Sequence, residues 1–345
     1  VLIKFKIPSY YLLLFFTSVF FPIYYGYIGI FPIDSFLIFN GGYNVLNGYH
    51  PFKDYWSITG PFLDYIQFIF FFLLDVNWLS YILHASFINL LLVSISFYFF
   101  CRNNLEVEYS FLYSLSIGIL AYPQTGTPFM DHHAFIFSFI SILFLLLGLN
   151  FKKNIFWFCS GIFLFFSFFS KQIPSAYLVI LYFTIFILFF SFFKKNYLKN
   201  ILFFIYSLLF SSAIFFLIVF VNEIPIKNII NQYFFYPITV GQDRGDLLNF
   251  DLKNTIFQFK YLYFAIIPYL FIFNFIFKKN IQKIDKLKEL LFLIYVLGTF
   301  LIFIYAQLMT LNQVLIFFTI PFYLGLSHIY NKKFFKKKFL SVFLI

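Results

Sequence analysis

Unbroken apolar runs of about twenty residues recur along this chain and restrict its fold more than any other feature. Ile201–Val221 reads ILFFIYSLLFSSAIFFLIVFV, and Pro174–Phe193 is of the same kind. A helix rising about 1.5 Å per residue needs about 20 such residues to cross about 30 Å of hydrocarbon. Helices are preferred over a β-barrel because the runs are continuous, whereas barrel strands alternate over about 10 residues. Only 11% of the residues are charged, against about a quarter in a soluble domain, which leaves too few polar groups to coat a water-exposed surface. The expected fold class is all-α: a polytopic integral membrane protein with the lipid bilayer as its surroundings.

The remaining composition excludes several functions. The net charge of +11 would suit nucleic acid, but the lysine clusters lie between apolar runs, where they set topology instead, so no nucleic-acid partner is expected. Cys101 and Cys159 stand far apart at or inside apolar runs, which predicts neither a disulfide framework nor a metal site. The 64 Phe and 27 Tyr, with many Ile, Lys and Asn, fit an AT-rich genome writing its apolar residues as Phe and Ile, so a single aromatic reads as lipid-facing filler. Pro8–Ile30 is too long for a signal-peptide core and lacks a small-residue cleavage site, so it reads as a retained first helix.

All but six of the 24 Lys and Arg fall in short segments that can share one side of the membrane. These are Lys4 and Lys6, Arg102, Lys152 and Lys153, Lys194 through Lys199, Lys278 through Lys288, and Lys332 through Lys338. The positive-inside rule makes that side cytoplasmic. Ten spanning helices fit the alternation, near 8–31, 76–101, 109–123, 133–150, 155–170, 174–193, 201–221, 259–277, 290–307 and 311–330. Pro61–Leu74 is left over. If it crossed, Arg102 and the Lys152/Lys153 pair would land outside; it is short, and it carries Asp64 and Gln67. It therefore reads as a helix at the outer interface, with Trp78 at the headgroup level. Outer segments follow at about 31–77, 124–132 and 222–258, within a single transmembrane domain. Leu340–Ile345 reads as the start of one more helix, and with the Val1 start it suggests a C-terminally truncated fragment.

The densest polar stretch is Asp34–Tyr65, DSFLIFNGGYNVLNGYHPFKDYWSITGPFLDY. Asp34 can cap a short second interfacial helix over Ser35–Leu46, which Asn47-Gly48 would end. His50-Pro51-Phe52-Lys53-Asp54 reads as a turn, and Gly60-Pro61 opens the interfacial helix with proline where its missing N–H costs nothing.

This stretch resembles the first outer loop of the GT-C glycosyltransferases, in the bacterial branch similar to protein mannosyltransferases and aminoarabinose transferases. The matching elements are Asp34, Leu46-Asn47-Gly48, Pro51-Phe52-Lys53-Asp54 and Gly60-Pro61-Phe62. Pro128-Phe129-Met130-Asp131-His132-His133 resembles the family's second acidic motif, and Phe168-Phe169-Ser170-Lys171-Gln172 its Lys-Gln step between two helices. The resemblance covers roughly the first 200 residues. It implies transfer of a sugar from a polyprenyl-phosphate donor to a glycan, lipid or protein acceptor, with inversion, on the periplasmic face of a bacterial inner membrane.

That chemistry needs a base for the acceptor hydroxyl and cations for the departing phosphate. Asp34 is the candidate base, and it also fits a plain helix cap. Asp54 would position the acceptor or anchor the loop. Asp131, with His132 and His133, would orient Asp34, start a helix, or, as Asp131 with His132, hold a divalent cation; no cofactor is required. Lys171 is the first choice for the lipid phosphate, with snorkelling as the plainer reading; Lys53 and Arg244 come next. Gln172 and His50 would line the site. The segment Gly241–Asp246 reads as a mobile surface turn able to cover it. Two rival functions remain at this stage. An envelope polysaccharide ligase or polymerase would concentrate its polar residues in one large late loop. A lipid-linked-sugar transporter or flippase would carry ionisable residues near helix midpoints, where this chain has almost none apart from His84.

Overall fold

A computed structural model describes residues 2–29, 35–122, 126–193, 195–246, 248, 250–278, 283–310 and 315–334. Its helices are α1 (Leu2–Ile28), α2 (Ser35–Leu46), α3 (Pro61–Leu74), α4 (Trp78–Arg102), α5 (Val107–Ala121), α6 (Met130–Phe151) and α7 (Asn154–Ser170). They continue with α8 (Gln172–Phe193), α9 (Lys195–Val221), α10 (Ile226–Ile229), α11 (Tyr236–Asp246), α12 (Lys260–Lys278), α13 (Lys283–Thr310) and α14 (Ile320–Phe334). No strand occurs among the described residues; one isolated bridge, Pro51 to Tyr55, closes the turn in the first polar stretch.

Six helical segments are long and apolar enough to cross a membrane: Ser9–Ile28, Trp78–Arg102, Met130–Phe151, Gln172–Phe193, Tyr197–Val221 and Asp285–Thr310. The apolar helices Val107–Ala121, Asn154–Ser170 and Lys260–Asn274 are shorter. The last expected span, 311–330, departs most from expectation. Its described part is a 3₁₀ turn at Phe317–Thr319 followed by α14, and the Leu315 N–H donates to Gln307 Oε1 at 3.1 Å.

The helix α6 is the centre of the bundle and is buried nearly all round, as an evenly apolar helix must be. Small residues let its neighbours approach. Ser138 Oγ meets Ser167 Oγ at 2.6 Å, Ser141 Oγ donates to Ser160 O at 2.7 Å, and the same hydroxyl meets Tyr182 Oη at 2.9 Å. Hydroxyls bonding across close-packed helices supply directional contacts where lipid gives little hydrophobic drive. By contrast α8 and α9 turn Phe183, Leu209, Phe220 and similar residues outward.

Two sets of polar contacts gather helix ends. In the first, Lys53 Nζ donates to Asn222 O at 2.9 Å, Ser57 N donates to Gln232 Oε1 at 2.9 Å, and Asn228 Nδ2 donates to Phe52 O at 2.7 Å. In the second, Asn150 Nδ2 donates to Asn103 Oδ1 at 2.9 Å, Lys332 Nζ to Glu106 Oε1 at 2.7 Å, and Asn200 Nδ2 to Lys152 O at 3.2 Å. Asp131 and Asn150 stand at the two ends of α6, about 29 Å apart at 1.5 Å per residue.

The short helices α2 and α3 have the expected bounds. The first is followed by Gly48 at φ 81°, and the second starts from Gly60 at φ 76°, with Pro61 as its first residue. The segment 222–258 overturns the expectation of a surface turn at Gly241–Asp246. It is helical from Ile226 to Asp246, widened to a π-helix over Ile230–Phe235. Gln232 and Tyr233 anchor it inward: the former accepts from Ser57 N, and the Tyr233 hydroxyl donates to Phe168 O. Tertiary anchoring outweighs the weak helix propensity of Gly241 and Gly245.

Candidate functional site

A cavity of about 580 Å³ opens at the start of α6. It lies among the break between α7 and α8, the helix α11 and the end of α13, with Asp131, Lys171, Gln172 and Arg244 on its wall. The break follows from local backbone: Lys171 is extended at φ −161° and ψ 145°, its N–H still donating to Ser167 O at 3.0 Å. Helical geometry resumes with Pro174, whose absent N–H is harmless in a first turn.

Asp131 lies in the first turn of α6, where the partial positive charge of the helix end favours a carboxylate. Its side chain is 5% exposed and is ion-paired to the Lys171 ammonium, itself 17% exposed. An ammonium has three donors, so contact with one carboxylate oxygen leaves others for a ligand. Gln172 clamps the break from the other side: its Nε2 donates to Ile58 O and to Tyr233 O, both at 2.9 Å. Arg244 is carried on α11 and has no ion-pair partner among the described residues. Phe129, Phe168, Ile173 and Tyr233 make the apolar part of the wall. The arrangement is a mainly apolar chamber with one buried ion pair and one further cation, suited to an anionic group on an apolar stem.

Four sequence-predicted site residues thus come together: Asp131, Lys171, Gln172 and Arg244. Asp34 lies outside the described residues. Asp54 serves the turn, its Oδ2 accepting from His50 N at 2.7 Å. Lys53 ties the first polar stretch to residues 222 and 223, with Glu223 Oε2 at 4.0 Å, and does not line the cavity. His50 Nδ1 meets Tyr65 Oη at 3.1 Å away from the cavity, and burial pulls its pKa below the usual imidazole value. His132 and His133 are buried and point into the helix bundle: His133 Nε2 meets Tyr122 Oη at 2.8 Å, and His132 packs on the rings of Tyr122 and Phe318. Among the described residues no group of three or more His, Cys, Asp or Glu is placed to hold a metal ion.

Sequence reasoning missed a second buried carboxyl. Asp64 is 6% exposed and accepts from Tyr55 Oη at 2.8 Å, and burial pushes its pKa well above the usual carboxylate range despite that bond. The signal was Gly41-Gly42 in the middle of α2. A Cβ at Gly41 would stand 2.1 Å from Asp64 Oδ1, and one at Gly42 2.5 Å from Gln67 Cγ. Both glycines are needed for α2 to lie against the polar face of α3. That face continues into the bundle, where Gln67 Oε1 meets His84 Nδ1 at 3.0 Å. No protein-family model, no curated protein and no solved structure matches this chain.

Proposed function

We propose that this chain is a membrane glycosyltransferase of the GT-C type, which moves a sugar from a polyprenyl-phosphate carrier to an acceptor hydroxyl. The observation that carries the reading is the cavity in which the Asp131–Lys171 pair and Arg244 share a wall with aromatic and aliphatic side chains. A polyprenyl-phosphate sugar has the matching chemistry: an anionic phosphate between a polar sugar and an apolar tail. As the acceptor oxygen attacks the anomeric carbon, negative charge grows on the departing phosphate. Lys171 and Arg244 would offset it, with Arg offering a bidentate fork. Asp131 then holds Lys171 in place. Asp34 is the proposed base, taking the acceptor proton.

The proposed topology has ten crossings: α1, α4 through α9, and α12 through α14. It puts the cavity on the outer, periplasmic side of a bacterial inner membrane, with α2 and α3 at that interface. Contacts of the first polar stretch with residues 222–233 and with Gln172 support one outer group of segments. Contacts of Asn150 with Asn103, Asn200 with Lys152 and Lys332 with Asn104 support an opposite, lysine-rich one.

Release of polyprenyl phosphate from a panel of polyprenyl-phosphate hexoses and pentoses, measured in membranes, tests the reading. Lys171→Met and Asp34→Asn should each lower turnover by about 100-fold or more. Full activity in Lys171→Met would remove its role on the phosphate, and full activity in Asp34→Asn would remove the proposed base.

A further inference from the structure

A second cavity, of about 470 Å³, lies at the other end of the same helices. The first cavity meets α6 at Asp131 and α13 at Met309; the second meets α6 at Asn150 and α13 at Glu289. The proposed sugar-transfer reading makes no use of it. Its size is that of a small-molecule site, about 300–1,000 Å³ in general.

Its polar groups are unusual for a structural void. Glu289 is 7% exposed, and its Oε1 accepts from Lys333 Nζ at 2.5 Å. Glu289 Oε2 and the Tyr269 hydroxyl are both buried without a well-formed hydrogen bond, and the Tyr330 hydroxyl, on the same wall, is the protein donor beside both. One hydroxyl cannot saturate a buried carboxylate oxygen and a second hydroxyl together, so the site has room for a ligand that brings N–H or O–H groups. On the rim, Lys332 and Lys333 keep half-exposed side chains. Lys333 answers Glu289 and Lys332 answers Glu106, while Lys288 and Arg102 stand over the lining rings of Phe292 and Phe151. A zwitterion finds both signs there, Glu289 for its cation and the basic side chains for its anion. Phe292, Val296, Leu326 and Ile329 supply an apolar wall beside them.

We infer that this cavity binds the headgroup of a phospholipid carrying a primary ammonium. The ammonium donates to Glu289 Oε2 and sits beside Tyr269, the phosphate lies against Lys332 and Lys333, and the first acyl carbons cover the apolar wall. The inference stands apart from the proposed reaction, since it uses none of the first cavity's residues.

Native mass spectrometry of the full chain in detergent, titrated with lipids of identical acyl chains, tests it. Phosphatidylethanolamine should bind about tenfold more tightly than phosphatidylcholine, whose quaternary ammonium has no N–H, and than phosphatidylglycerol, which has no cation; tenfold corresponds to about 1.4 kcal/mol. Glu289→Gln alone strands Lys333 and risks misfolding, so the double variant Glu289→Gln/Lys333→Gln, which removes both charges together, is the decisive one. It should bind the three lipids alike, while Lys53→Gln, a substitution outside both cavities, keeps the preference. Equal binding of the three lipids by the unaltered chain would overturn the inference. So would a preference that survives the double variant or disappears in Lys53→Gln. Water-soluble glycerophosphoethanolamine should compete poorly; competition as strong as the lipid's would refute a membrane source for the ligand.

Discussion

Removing the Lys171 ammonium should expose the energetic role of the pair it makes with Asp131. The two side chains are 17% and 5% exposed, so water screens neither well. Breaking a buried pair by deleting one partner costs about 3–5 kcal/mol, because the remaining charge stays desolvated. Lys171→Met keeps the length of the stem and removes only the charge, so about 3 kcal/mol is expected at pH 7. Asp131→Asn should cost a similar amount by stranding the lysine. The double variant should cost far less than the sum, giving a coupling energy of about 3 kcal/mol. Unfolding in mixed micelles with increasing dodecyl sulfate, followed by circular dichroism, gives all three values. A coupling energy below about 0.5 kcal/mol, the usual additivity limit, would refute the pairing. The same three proteins separate folding from chemistry: the double variant should regain stability and stay inactive in sugar transfer.

Three further outcomes follow from other parts of the fold. Gly41→Ala places a Cβ 2.1 Å from Asp64 Oδ1, so it should cost about 1–3 kcal/mol in the same micelle assay, whereas Gly245→Ala, whose Cβ meets nothing, should gain up to about 1 kcal/mol from helix propensity. Asp64 has a folded-state pKa raised by burial, so its contribution is fully present below the unfolded value of about 3.9 and is lost as pH rises through the folded value. Asp64→Asn should therefore flatten the decline in stability toward alkaline pH and show least advantage at acid pH; an unchanged pH profile would reject the buried carboxyl as its source. For topology, a cysteine at the exposed Trp56 should react with an impermeant maleimide from outside intact cells, and one at Lys153 only after permeabilisation. The reverse pattern would invert the proposed orientation.

Local features of the chain announced much of this. Apolar runs of spanning length and the absence of helix breakers made α4, α6, α8 and α9 readable, and Gly48 and Gly60-Pro61 marked the ends of α2 and α3. The break at Lys171 was readable because lysine and a following Ile-Pro interrupt a long apolar stretch. The helical segment 226–246 was not, because it is held by Gln232 and Tyr233, whose partners Ser57 and Phe168 are 175 and 65 residues away.

The sequence by itself determined that this chain is helical and suited to a membrane, since hydrophobic length and lysine placement are properties of short segments. It also nominated Lys171 as a charge too costly to leave unpartnered at a membrane helix end, Asp131 through its motif, and Arg244 through its fit to a phosphate. Only the tertiary structure decided that these three share one chamber, that Lys53, Asp54 and His50 stand outside it, and that Asp64 is buried beneath Gly41. The physical reason is that burial and ion pairing depend on which helices touch. That is fixed by small-residue contacts such as Ser138 with Ser167, far apart in the chain and silent in its hydropathy.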